Sequence, residues 1–108
     1  MSELKFDFVA CCYNGGEAIQ RYEECESFLL SYVKNGQIMR QEFLSASRRE
    51  PETVIKSLRQ SGMTALIARS FSPKAMAALR KAGLRLYEFA GGTGAALKAY
   101  LAGQLREL

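Results

Sequence analysis

Apolar residues alternate with polar ones at the start of the chain and then close up. From Leu4 to Cys12 the even positions Leu4, Phe6, Phe8, Ala10 and Cys12 are all apolar, while the odd ones begin polar at Lys5 and Asp7 and turn apolar at Val9 and Cys11. Alternation with a period of two marks a strand, and its loss predicts a second face that becomes buried towards the strand's end. That end carries two adjacent thiols, and Asn14-Gly15-Gly16 breaks the strand just beyond them. Successive side chains of a strand point to opposite faces, so Cys11 and Cys12 are split between the two sides of a sheet and do not chelate one atom together.

The later elements follow from the same reading. Tyr13 to Glu26 is a polar connection, and Ser27 to Val33 is a second strand. Lys34-Asn35-Gly36-Gln37 predicts a hairpin, because Asn-Gly suits the positive φ angles of a type I′ turn. The returning strand, Gln37 to Leu44, holds Arg40, Gln41 and Glu42 and reads as a sheet edge. Pro51 to Gln60 is a helix with proline in its first turn and an apolar stripe of Val54, Ile55 and Leu58. Ala65-Leu66-Ile67-Ala68 is the short, wholly apolar run of a parallel strand covered on both faces. Ser72-Pro73 starts a second helix that runs to about Ala82. Leu84 to Phe89 is the last strand, and Thr93 to Ala102 is the third helix.

A hairpin makes strands two and three antiparallel, and right-handed crossovers make the later strands parallel. The expected architecture is α/β: a three-layer α/β/α, ribonuclease-H-like fold with a mixed five-stranded sheet of order 3-2-1-4-5 and strand 2 antiparallel. One domain spanning residues 1–108 is the expectation for this length. In open α/β sheets ligands sit beyond the carboxyl ends of the strands, at the point where the chain leaves in opposite directions. Cys11, Cys12, Asn14, Gly15, Arg69, Ser70 and Ser72 converge on that edge.

Charge sharpens the picture. Residues 1–26 carry a net −4 and residues 27–108 a net +8. A basic body suits an anionic partner such as a phosphate or an anionic metal cluster. Nucleic acid is an unlikely partner, since no stripe of aromatics interleaves the basic residues. No run of about 18 apolar residues exists, so no membrane-spanning helix is expected. The acidic N-terminus does not resemble a secretory signal, and the cytoplasm is the expected location.

The chemistry available is narrow. The chain has no histidine and three cysteines, two of them adjacent, which is a poor disulfide framework. Cys12, on the apolar face, reads as a packing residue. Cys11 and Cys25 are the expected site thiols and the expected metal ligands. Three thiols without CxxC spacing do not complete an iron–sulfur or zinc site, so a cluster held here is incompletely ligated, as a carrier requires. Arg69, Ser70 and Ser72 at the second helix's start form a candidate anion site. Gly91-Gly92-Thr93-Gly94 matches neither dinucleotide nor P-loop spacing and reads as a turn. Phosphodiester cleavage needs several carboxylates for two metal ions, and the chain has one aspartate, Asp7.

Cys12-Tyr13-Asn14-Gly15, Phe28 through Gly36, Gly62 through Ala68, Ser72-Pro73-Lys74-Ala75, Leu79 through Tyr87 and Ala96 through Leu105 occur in an order and spacing that resemble the dinitrogenase iron–molybdenum cofactor biosynthesis, or nitrogenase accessory factor, family. The resemblance implies the same three-layer fold. It also implies a small non-catalytic protein that binds or carries an iron–sulfur-type, iron–molybdenum cofactor precursor cluster, with a metallocofactor assembly or acceptor protein as partner. The chain departs from many members at two places. Arg21-Tyr22-Glu23 stands where those have His-Phe-Gly, and Arg69-Ser70-Phe71 stands where they have a glycine-rich turn. Cluster binding would then rest on Cys11, Cys12 or Cys25, with Arg21 and Arg69 as electrostatic partners. The alternative is a protein-interaction or regulatory module of the same fold that has lost the cluster, with the edge strand Gln37–Leu44 as its partner or homodimer surface. A redox thiol enzyme, needing a thiol of depressed pKa, is a third reading.

Overall fold

A computed structural model describes residues 5–13, 18–46 and 50–108. Its strands are β1 (Phe6–Tyr13), β2 (Ser27–Lys34), β3 (Gln37–Ser45), β4 (Ala65–Ala68) and β5 (Arg85–Glu88), and its helices are α1 (Pro51–Gln60), α2 (Pro73–Lys81) and α3 (Thr93–Leu101). The strands form one sheet of order β3-β2-β1-β4-β5. β1 pairs antiparallel with β2 and parallel with β4, and β5 extends the parallel half. The expected order and the reversed second strand are both present.

Turn chemistry sets the hairpin. Asn35 and Gly36 have φ of 51° and 79°, the left-handed values that a type I′ turn requires. The Lys5 N–H donates to Asn35 Oδ1 at 2.9 Å, tying the turn back to the start of β1.

Alternation then assigns the faces. Phe8 packs on Tyr32 and lies below Gly62 at the end of α1, while Asp7 accepts a hydrogen bond from the Tyr100 hydroxyl of α3. Even-numbered β1 residues thus face α1 and α2, and odd-numbered ones face α3. Three layers result, with two helices on one side of the sheet and one on the other. The inner strand β4 is fully buried along its whole length, as its uninterrupted apolar run predicts. Each of Leu66 and Ile67 contributes about 1.5–3 kcal/mol through that burial.

The first strand differs from its expected form at its start. Phe6 is 54% exposed although it lies on the apolar face. The reason is stagger: β4 pairs with β1 only from Val9 to Cys11, so the first residues of β1 project past the sheet's parallel half. Leu4 lies outside the described residues.

Candidate thiol pocket at the carboxyl edge of the sheet

The polar connection after β1 does more than link two strands. The Ile19 N–H donates to the Gly91 carbonyl at 2.7 Å, the Arg69 N–H to the Gln20 carbonyl at 3.0 Å, and the Tyr22 N–H to the Ser70 carbonyl at 3.0 Å. Ile19 is buried beneath this seam. Residues 18–22 therefore lie as a strap across the carboxyl ends of β4 and β5. A 3₁₀ turn, Tyr22–Glu24, follows and delivers Cys25 to the start of β2.

Each expected site residue can now be placed. Cys11 is not the thiol at the lip of the site. It is 1% exposed, faces the α3 layer, and burial, with the Cys25 charge adding, pushes its thiol up to about 12. Parity explains the correction. Cys11 shares the odd face with Val9, and both are buried on the side that α3 covers. Nor do Cys11 and Cys25 form the expected ligand pair, because Cys25 joins Cys12 instead. The two thiols influence each other's protonation, and the Cys25 Sγ–H donates to the Ser27 carbonyl at 2.8 Å. Cys12 itself is fully buried, as a packing residue would be.

The two thiols of this pair are held differently. Burial drives Cys12 well above the usual thiol range, and its hydrogen bond to Cys25 and the charges of Cys25, Cys11 and Glu23 push the same way. Cys25 is lowered: the hydrogen bond from Cys12 outweighs the cost of its partial burial, and backbone hydrogen bonds at Tyr13 and Ser27 add to it, against the charge of Glu26. Cys12 is thus held protonated, while Cys25 lies below the usual thiol range with its thiol donating to the Ser27 carbonyl.

Cys25 lines a cavity of about 360 Å³ between the sheet and the two helices α1 and α2. Phe28, Val54, Ile55 and Ala75 make most of its wall apolar, while Tyr22, Glu23, Ser72 and Lys74 contribute polar atoms. No local pattern in the sequence shows that Cys25 lines this cavity. The available signal was the parity of Phe28, which pairs directly with Cys12 across β1 and β2 and so marks the face that carries it.

The expected anion site at the start of α2 is already filled from within. Ser72 caps the helix by accepting from the Ala75 N–H at 3.1 Å, and its own N–H donates to Glu23 Oε1 at 2.5 Å. Glu23 supplies the negative charge that the helix dipole favours there. Arg21 is likewise engaged, paired with Glu24 in an exposed ion pair. Arg69 is exposed and joins the strap through its backbone, as does Ser70. Asn14 and Gly15 lie outside the described residues. Among the described residues no group of three or more His, Cys, Asp or Glu side chains is placed to hold a metal ion.

The Glu23 contact makes stability depend on pH with a definite sign. Partial burial opposes ionisation, but hydrogen bonds from the Ser72 and Glu23 backbone and the Ser72 side chain, with the Arg21 charge, hold the carboxyl below its ordinary value of 4.5. A lowered folded-state pKa contributes stability that is present above 4.5 and is lost as pH falls through the folded value. Glu23→Gln is expected to lower Tm at pH 7 and to flatten the wild-type decline between about pH 5 and 3. Thermal melts of both proteins across that range check it.

The chain is thus a three-layer α/β/α protein with a partly buried thiol, Cys25, lining a pocket at the sheet's carboxyl edge. The chain is a member of the dinitrogenase iron–molybdenum cofactor family, whose model matches residues 8–103. Solved structures agree in fold. A candidate dinitrogenase of Methanocaldococcus jannaschii superposes with a TM-score of 0.82 at 14% identity, covering 96% of each chain. A Thermotoga protein described as NifB-like is 25% identical, with a TM-score of 0.72, over 94% of this chain and 93% of that one. The apo form of the orange protein from Desulfovibrio gigas is 20% identical, with a TM-score of 0.75, over 96% of this chain and 94% of its own. No curated protein matches the chain. Among the described residues no helix is long and apolar enough to cross a membrane.

Proposed function

We propose that this protein is a non-catalytic accessory protein that binds an anionic iron–sulfur-type cluster, a precursor of the iron–molybdenum cofactor, and passes it to an assembly or acceptor protein. The observation that carries this reading is Cys25, a thiol opening into the largely apolar cavity between the sheet, α1 and α2. Family membership supports the choice of cargo. The cluster is substrate here, and the donor set fits a substrate better than a resident group. One thiol at the cavity, Cys25, leaves most of the cluster's coordination sites to other ligands, so it is free to leave. Lys74 at the cavity wall supplies a cation towards an anionic cargo.

Anaerobic incubation of the protein with ferrous iron and sulfide is the test. Visible absorption from thiolate-to-iron charge transfer, retained by the protein through gel filtration, is the expected result. A protein that emerges colourless, with no iron by metal analysis, refutes the reading.

A further inference from the structure

The outer edge of the sheet carries features that the thiol pocket does not use. β3 is nine residues long and has a neighbour on one side only, β2. Three of its apolar residues are exposed, Met39 at 63%, Phe43, whose ring packs on Tyr13, at 65% and Ile38 at 44%. An edge strand presents unpaired N–H and C=O groups, and such edges are ordinarily guarded by charge or by a bulge. Here the guard covers half the strand. The pairing register shifts between Tyr32 and Val33, where Arg40 lies opposite Tyr32 and Ile38 opposite Val33, so Met39 is the extra residue. From Arg40 to Ser45 the edge is regular.

Its charges are arranged to meet themselves. Arg40 and Glu42 lie on the same face, two residues apart. The Arg40 Nε stands 3.4 Å from Glu42 Oε1, and its guanidinium lies over the Tyr32 ring, 4.4 Å from the centroid. Both side chains are open to solvent, at 63% and 48% exposure. When two copies of one strand pair antiparallel about a two-fold axis perpendicular to the sheet, faces are preserved, and the axis must pass through a residue. An axis through Arg40 opposes two arginines, and an axis through Glu42 opposes two glutamates. An axis through Met39 or Phe43 leaves each charge opposite an uncharged residue. An axis through Gln41 sets Arg40 of each copy against Glu42 of the other, within the regular part of the edge. That register alone neutralises both charges.

We propose that the protein self-associates as a two-fold dimer through β3, with Gln41 on the axis, joining two five-stranded sheets into one continuous sheet. The thiol cavity is lined from β2, α1, α2 and the segments beside them, so each copy keeps its own site. The occupant is a second copy rather than a foreign strand because the charge pattern is complementary to its own reverse.

Sedimentation equilibrium of the full chain, as wild type and as R40E, E42R and R40E/E42R, tests the assignment. Wild type is expected to dimerise. R40E and E42R each place like charges in both pairs, and each is expected to weaken the dimer by about tenfold or more. The double variant restores complementarity and is expected to recover the wild-type constant. A mixture of the two single variants is expected to form heterodimers, because each supplies what the other lacks. Both substitutions lie on an exposed edge, and circular dichroism checks that the fold is kept. A wild type that stays monomeric up to ~1 mM, a dimer indifferent to R40E, or a double variant that is not rescued overturns the proposal.

Discussion

Cys25→Ser and Cys12→Ala are each expected to lower cluster retention by at least about tenfold, while Cys11→Ala keeps full stoichiometry. All three thiols sit within a short reach of sequence, and composition does not rank them. Position in the sheet does. Cys25 opens into the cavity, and its proton is held less tightly than that of an ordinary thiol. Cys12 contributes most to that lowering, so its removal returns Cys25 towards an ordinary thiol without touching the cavity wall. Cys11 faces the α3 layer, and burial keeps its thiol protonated. Its truncation leaves a small void costing about 1–2 kcal/mol, which appears in the melt and not in the spectrum. Iron-to-protein ratios after anaerobic reconstitution, read beside Tm for each variant, separate the roles. Loss of iron in Cys11→Ala with retention in Cys25→Ser would reverse the assignment.

Phe28→Ala is the substitution expected to cost most in stability, about 3–5 kcal/mol. Phe28 is 1% exposed, lies directly opposite Cys12 in the β1–β2 pair, and packs against the Tyr22 ring at 6.1 Å between centroids. Tyr22 in turn meets Phe71 at 5.8 Å, so the three rings anchor the turn that carries Glu23 and Cys25. Truncating the first ring removes core contacts and loosens that turn together. Each kcal/mol moves Tm by about 4–8 °C in a domain of this size, so denaturant unfolding at 25 °C is the more direct measure. A loss below about 1 kcal/mol would mean that the neighbouring side chains collapse into the space and that the ring stack is not an anchor.

These two expectations mark where sequence reading succeeded and where it stopped. The strands, the helices and the Asn35-Gly36 hairpin were legible because period-two alternation, N1 prolines and turn residues act over a few positions. Sheet order followed from the chirality of crossovers and needed no side-chain detail. The site was less legible. Alternation correctly separated Cys11 from Cys12, but the apolar run at Val9 to Cys12 gives no sign of which covered face ends at a cavity. Arg69, Ser70 and Ser72 looked like an open anion site because a capped helix start looks the same whether or not an acid from elsewhere fills it. Glu23 stands 49 positions before Ser72, beyond the reach of any local pattern.

The chain by itself therefore determined its elements, their order in the sheet and the split of the adjacent thiols, all of which rest on local backbone geometry and handedness. Only the tertiary structure decided which thiol faces the pocket, that Glu23 occupies the helix start, that residues 18–22 strap the carboxyl ends of β4 and β5, and that Phe6 is left uncovered. Each of those depends on a contact between segments distant in sequence. Such contacts are selected by how the layers close over one another.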